Sequence, residues 1–154
     1  MRKSKMKVYL ASPFFNENEI NVYDKVIALL RDDKDIDLFV PREHEIPNGW
    51  DMPNHQWAEN VFAVDILGIQ KADVVVVLNF GMYSDSGTAW ECGYAYALGK
   101  KVVNIIVGKY EDEYSLMMLN GSTITIPLST LSVWELKDIL KSVKNNCVKD
   151  FLQK

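Results

Sequence analysis

The stretch Asp73-Val74-Val75-Val76-Val77-Leu78-Asn79, followed by Asp85-Ser86-Gly87-Thr88-Ala89-Trp90-Glu91-Cys92-Gly93-Tyr94-Ala95, decides the fold. A short, unbroken, β-branched run is the pattern of a strand buried on both faces, as in parallel sheets. The segment after it reads as a helix over about residues 88–98, stopped by Gly99. A buried strand feeding a helix is one unit of an α/β sheet. The carboxylate of Glu91, in the first turn of that helix, then stands over the C-terminal edge of the sheet. Open α/β folds place their ligands there.

The same alternation continues outward. Lys7-Val8-Tyr9-Leu10-Ala11 reads as a strand and Ser12-Pro13-Phe14-Phe15 as its outgoing loop. A helix follows from about Asn16, with Ile20, Tyr23, Val26, Ile27 and Leu30 at helical spacing. Residues 36–40 form a second strand, stopped by Pro41. Residues 41–56 are rich in Pro, Asn and Gly and carry Trp50, a long surface loop of the kind that serves as a lid or binding loop. A helix from Asn54 to Lys71 has Trp57, Val61, Phe62, Ile66 and Ile69 as its expected buried side. Strands at 101–107 and 122–126 and a last helix from near Ser132, packing through Trp134, Leu140, Val143 and Phe151, complete the chain. There is no repeat or linker, so residues 1–154 read as a single domain. Alternating strands and helices predict a doubly wound, flavodoxin-like five-stranded parallel sheet in the order 2-1-3-4-5, with helices on both faces. Its switch point lies between the first and third strands. Topology therefore gathers Tyr9, Phe14, Phe15, Asp85 and Glu91 around one crevice.

Composition narrows the chemistry. With 48% hydrophobic and 25% charged residues, the chain reads as an ordinary globular protein, and a net charge of -4 argues against a nucleic-acid partner. No apolar run approaches the roughly 18–20 residues that span a bilayer. The basic start Met1-Arg2-Lys3-Ser4-Lys5 leads into a strand rather than a signal core. Cys92 and Cys147 form no metal or redox motif and read as free thiols in a reducing cytosol. These features predict a cytoplasmic protein with no membrane partner. Neither G-x-G-x-x-G nor G-x-x-x-x-G-K-[ST] is present, and the first loop has no glycine, so no dinucleotide or triphosphate cofactor is expected. His44 and His55 lack a second pair of ligands at zinc spacing, so no metal is expected either.

Three carboxylates carry the candidate chemistry, each with an ordinary structural reading beside it. A helix N-terminus favours negative charge, so Glu91 is expected to stay ionised at neutral pH, as the nucleophile of a retaining glycosyl transfer must. Thr88-x-x-Glu91 equally matches a capping box. Asp65 lies among Val61, Phe62, Ala63, Val64, Ile66 and Leu67, where an acid must be paired, exposed or functional. Asp85 is a site acid or a turn residue beside Ser86-Gly87. Phe14 and Phe15 suit a flat apolar ligand such as a nucleobase, or the core.

These segments resemble the nucleoside 2-deoxyribosyltransferase family. Val8-Tyr9-Leu10-Ala11-Ser12-Pro13-Phe14-Phe15 is similar to that family's first strand and loop. Asp65-Ile66-Leu67-Gly68-Ile69 with Lys71-Ala72-Asp73 is similar to its D-x-x-x-I-x-x-A/N-D segment, and Asp85-x-Gly87-Thr88-x-x-Glu91-x-Gly93-Tyr94-Ala95 to its nucleophile motif. The likeness covers about residues 7–107. It implies that Glu91 attacks C1′ of a 2′-deoxynucleoside and that a second base takes the sugar with retention. It further implies that Tyr9 orients Glu91 and helps exclude ribosides, that Asp65 faces the base as a proton donor, and that Asp85 holds sugar hydroxyls. Ala11, Phe14 and Phe15 would complete the substrate site. Family sites also take an asparagine, just before Leu-Met, from a neighbouring subunit. Here Tyr114-Ser115-Leu116-Met117 puts Ser115 at that position, with Asn120 five residues later, so the resemblance offers either. The tail at 149–154 departs from the one that closes some family sites. A homo-oligomer, hexamer or dimer, is implied, with 2′-deoxyribonucleosides and free nucleobases as partners. Two alternatives stand beside this reading. One is an N-glycoside hydrolase of deoxynucleoside monophosphates, for which Arg42 is the nearby arginine and the glycine-free first loop is an argument against. The other is a non-catalytic binding module in which Glu91 is only a cap.

Overall fold

The computed structural model describes residues 4–82, 85–108 and 113–146, and in it Val74–Asn79 is the central strand β3, buried at every position. On one side it pairs with β1 (Met6–Ala11), which pairs in turn with β2 (Ile36–Phe39). On the other it pairs with β4 (Lys101–Ile106), followed by β5 (Ile124–Pro127). All four pairings are parallel, and the order is β2-β1-β3-β4-β5. This is the expected doubly wound sheet.

Period-two alternation sorts each strand between two cores. Val8, Leu10, Val76, Leu78 and Ile105 face α1 (Glu17–Arg31) and α5 (Leu136–Lys144), which contribute Tyr23, Leu30, Ile139 and Leu140. Tyr9, Ala11, Val75, Val77 and Val102 face the other way, towards α2 (Asn54–Lys71) and α3 (Ser86–Ala97), which contribute Ile69, Cys92 and Ala95. A short helix, α4 (Leu116–Asn120), follows β4. Asn16 caps α1 by accepting the Glu19 N–H at 2.9 Å, where the sequence starts that helix.

Three expectations need correction. The helix after β3 begins at Ser86, because Asp85 and not Thr88 is its cap. The last helix begins at Leu136, after a 3-10 turn over Leu128–Ser132, and α4 was not foreseen. The apolar side of α2 is largely uncovered: Trp57 and Phe62 are 47% and 55% exposed, and only Gly68 and Ile69 are buried. Periodicity identifies an apolar stripe but says nothing about what covers it. Phe151, Cys147 and the tail at 149–154 lie outside the described residues.

The long connection between β2 and α2 contains two 3-10 turns, Pro41–Glu43 and Gly49–Asp51. Ion pairs Arg42–Asp24 and Arg31–Glu43 pin its first turn to α1, while Trp50 is fully exposed. Among the described residues, no helix is long and apolar enough to cross a membrane.

The two-core arrangement sets a contrast between neighbours on α1. Leu30 is fully buried and Leu29 is not. Leu30→Ala should lower unfolding free energy by about 2–5 kcal/mol and Leu29→Ala by less than about 1 kcal/mol. Urea titrations of the two variants check this; equal losses would contradict the assigned face.

Candidate active site

Parallel register sets the site at the C-terminal ends of β1 and β3. Tyr9 sits on β1 opposite Val75 on one side and Phe39 on the other. Its side chain lies under α3, fully buried, and its hydroxyl donates a hydrogen bond to Oε2 of Glu91. Small residues on the same helix, Cys92 and Ala95, let α3 come down onto the sheet. Burial, and then the Glu91 charge, push the Tyr9 phenol far above its ordinary range, so it keeps its proton and remains the donor.

The N-terminus of α3 is closed without Glu91. Oδ2 of Asp85 accepts both the backbone N–H and the hydroxyl of Thr88, at 2.8 and 3.0 Å. The capping-box reading therefore fails. Glu91 also lies in the second turn of α3, beyond the reach of the helix-end charge, which fades within the first turn. Burial governs it instead and pushes its carboxyl up to about 7. The Tyr9 bond pulls it back in part, while Asp65 and Asp85 push it further. The expectation of a fully ionised Glu91 at neutral pH is corrected accordingly: near pH 7 it is divided between its two forms.

Asp65 reaches the same crevice from α2. It is half-buried, and desolvation raises its carboxyl to about 6, against a lowering pull from His44. Tyr9, Asp65 and Asp85 are thus each brought within electrostatic reach of Glu91. Ala11 ends β1 beside Val77, with its methyl in the α3-side core. Phe14 and Phe15 are 37% and 73% exposed, so neither is core. They stack on each other, with ring centroids 5.5 Å apart, and Phe14 stacks on the buried Tyr23 at 5.7 Å.

Ser115 and Asn120 stand elsewhere. Ser115 caps α4 by accepting the Met118 N–H at 3.4 Å, and the Asn120 amide donates to the Leu116 carbonyl at 2.8 Å. Both line a groove of about 280 Å³ with Ala89, Cys92, Tyr96 and Met118, whose lining includes none of Tyr9, Asp65 and Glu91. Within one chain they do not join the crevice. Sequence reasoning missed Phe39 and His44, whose rings continue from Tyr9 in a stack, Tyr9–Phe39 at 5.2 Å and Phe39–His44 at 3.9 Å. Strand order with register would have found Phe39, since it is the cross-strand partner of Tyr9. Among the described residues no cluster of His, Cys, Asp or Glu could hold a metal ion.

A doubly wound sheet with a half-buried, tyrosine-held carboxylate at its switch point defines the class, an α/β enzyme with an acid-lined crevice. A family model described as nucleoside 2-deoxyribosyltransferase matches residues 8–125, and the chain belongs to that family, one of pentosyltransferase enzymes. It is 26% identical over 134 residues to the nucleoside deoxyribosyltransferase of Lactobacillus johnsonii, covering 79% of this chain and 89% of that one. Among solved structures it is similar to the 2-deoxyribosyltransferase of Bacillus psychrosaccharolyticus, with a TM-score of 0.67 and 33% identity over 78% of this chain and 85% of the other. The CMP N-glycosidase of Clostridium botulinum shares the fold at a TM-score of 0.58 and 19% identity, over 88% of this chain and 98% of its own.

The raised Glu91 carboxyl has a consequence for stability. Its folded value of about 7 lies above the ordinary 4.5, so the folded state holds a proton that the unfolded state releases between those pH values. The contribution of Glu91 is most favourable below pH 4.5 and is lost as pH rises through 7. At pH 8 the buried charge costs up to about 3 kcal/mol. Glu91→Gln should therefore melt higher than the native chain at pH 8 and close to it at pH 4. A native chain that is the more stable of the two at pH 8 would contradict this.

Proposed function

We propose that this chain is a nucleoside 2-deoxyribosyltransferase that moves 2-deoxyribose between purine and/or pyrimidine bases, with Glu91 as its nucleophile. The observation that carries the proposal is the Tyr9 hydroxyl on the half-buried Glu91 carboxylate at the switch point. With Oε2 held by Tyr9, Oε1 is left for C1′ of the sugar. Attack forms the C1′–O bond as the C1′–N bond breaks. The base leaves with the electron pair and takes a proton from Asp65. A second base then attacks C1′ through a ring nitrogen, Glu91 departs as carboxylate, and the incoming N–H proton passes to Asp65. Two inversions at one carbon give net retention.

Around these residues, Phe14 and Phe15 offer apolar rings to the base, and Asp85 keeps Oδ1 for a sugar hydroxyl while Oδ2 caps α3. Ser115 and Asn120 fit the reading as residues given to a neighbour's site in a homo-oligomer, a hexamer or dimer. The uncovered apolar faces support this. Trp57, Phe62 and Leu67 on α2, Trp90 on α3, and Leu116 and Met117 on α4 are all exposed, an area of the kind that marks an interface. The role suits cytoplasmic deoxyribonucleoside salvage. The hydrolase alternative gains nothing at Arg42, whose guanidinium is engaged by Asp24 and lies 4.7 Å over the Tyr23 ring.

The proposal is tested by incubating the protein with a deoxynucleoside and a second free base. Transfer is expected; hydrolysis alone, or no reaction, would overturn the reading. Glu91→Ala should abolish transfer while leaving a folded protein.

The pH dependence follows from the two carboxyls. Transfer needs Glu91 ionised, which favours pH above about 7, and Asp65 protonated, which favours pH below about 6. A bell-shaped kcat/KM with its maximum between those values is expected, its limbs belonging to the coupled pair. Asp65→Asn should lower the rate by about 10²–10⁴-fold for bases that leave poorly and abolish the falling alkaline limb. A profile that keeps that limb would remove Asp65 from the role.

Discrimination against ribosides is assigned to Tyr9. A 2′-hydroxyl would compete for its hydrogen bond and pull Glu91 out of line. Tyr9→Phe should slow deoxyriboside transfer by roughly 5- to 150-fold and narrow the gap to ribosides. The kcat/KM ratio for deoxyadenosine over adenosine, native against variant, measures it, and an unchanged ratio places discrimination elsewhere.

A further inference from the structure

We propose that Phe39 is a positioning residue: wedged between the Tyr9 ring and Gly68, it holds the Tyr9 hydroxyl on the Glu91 carboxylate. The inference rests on the reading of Glu91 as nucleophile and adds a residue to that machinery.

Phe39 ends β2, the edge strand, directly across from Tyr9. The two rings stack with centroids 5.2 Å apart and planes 15° from parallel. The tip of the Phe39 ring runs into α2 at Gly68. A Cβ at position 68 would lie 2.9 Å from Cζ and 3.0 Å from both Cε atoms, closer than carbon atoms approach. The helix backbone thus blocks the ring along its long axis, and only glycine leaves it that room. The imidazole of His44 stacks on Phe39 at 3.9 Å and 10°. Phe39 is therefore bounded by a strand, a helix and a loop, and it passes that confinement to Tyr9.

The reason this matters is geometric. The phenol oxygen lies at the far end of the Tyr9 side chain, so a small tilt of the ring moves it by more than any other atom. Its partner, Glu91, is carried by a different element, α3. The hydrogen bond consequently holds only if the ring plane is fixed, and Phe39 is the aromatic wall stacked against that ring. A 1 Å misplacement in such an array costs on the order of 100-fold in rate. Among the described residues, three groups act on the Glu91 carboxyl, Tyr9 from β1, Asp65 from α2 and Asp85 from the loop before α3, while Tyr23 on α1 feels its charge from the other core. Of these only Tyr9 donates to it and lowers its proton affinity, so loosening Tyr9 leaves the two acids and burial unopposed.

The test is a cycle of Phe39→Leu, Tyr9→Phe and the double variant, read by steady-state transfer and by carbon-13 NMR titration of the Glu91 carboxyl. Phe39→Leu should lower kcat by about 10- to 100-fold with KM within about twofold. It should also raise the Glu91 titration midpoint towards that of Tyr9→Phe. In the Tyr9→Phe background, Phe39→Leu should cost little more, because its effect passes through the missing hydroxyl. Gly68→Ala, which drives a methyl into the ring tip, should reproduce the phenotype, and its loss should not multiply with that of Phe39→Leu. The milder Phe39→Met carries the same cycle if Phe39→Leu does not fold. An equal loss of kcat in both Tyr9 backgrounds, or a Glu91 midpoint unmoved by Phe39→Leu, would make Phe39 packing only and overturn the proposal. Absence of transfer by the native chain would sink the nucleophile reading instead. The NMR arm needs no activity and still decides whether Phe39 holds the pair.

Discussion

Burial of one carboxylate is the constraint around which this molecule is arranged. Glu91 is half-buried and too far along α3 for the helix-end charge, and a single hydroxyl, that of Tyr9, is its direct donor among the described hydrogen bonds. Leaving a charge so poorly served costs free energy. The protein meets that cost by letting the carboxyl hold a proton up to about pH 7. The rest of the α3 side follows from bringing this pair together. The strands beneath present Val75 and Val77, the helix presents Cys92 and Ala95, and none is large enough to hold α3 away from Tyr9. A separate acid, Asp85, closes the helix end and frees Glu91 from local duty.

Much of this was legible in the chain because it rests on local pattern. The Val74–Asn79 run, the alternation of strands and helices, and the switch-point rule together yield the sheet order and the neighbourhood of Tyr9, Asp85 and Glu91. What was illegible depends on competition between effects that spacing cannot weigh. Thr88 and Glu91 have capping-box spacing, yet Asp85, three residues earlier, takes the cap and shifts the helix start by two residues. That shift moves Glu91 out of the first turn, to where the helix end no longer offsets the burial that raises its carboxyl, so one boundary residue altered the electrostatic reading. Phe39 and His44 escaped notice because their importance lies in cross-strand and loop stacking, which has no periodicity of its own.

The incomplete cover of α2 and α3 belongs to the same logic. Phe62 and Trp90 meet edge to face, with centroids 5.5 Å apart, and Trp90 stacks on Tyr94 at 5.3 Å. This aromatic row lies on the outer side of the two helices that carry Asp65 and Glu91. Whatever packs there bears on both acids at once, since each helix presents an aromatic to the outside and a carboxyl to the crevice. Ser115 and Asn120, remote from the crevice of their own chain, lie in a groove against the same α3.

Tyr9 and Glu91 are separated by 82 positions along the chain. A ribosome adds about 5–20 residues per second, so roughly 4–16 seconds pass between the synthesis of one partner and of the other. For most of that interval β1 lacks β3, which is complete only at Asn79, and the neighbour available to it is β2, on its other edge. Closing so long a loop is slow and must precede any gain from the contact. The pair can therefore form only after β1, β3 and α3 have docked, late in folding. A partly folded chain holds no preformed nucleophile, and chemistry waits for the finished sheet.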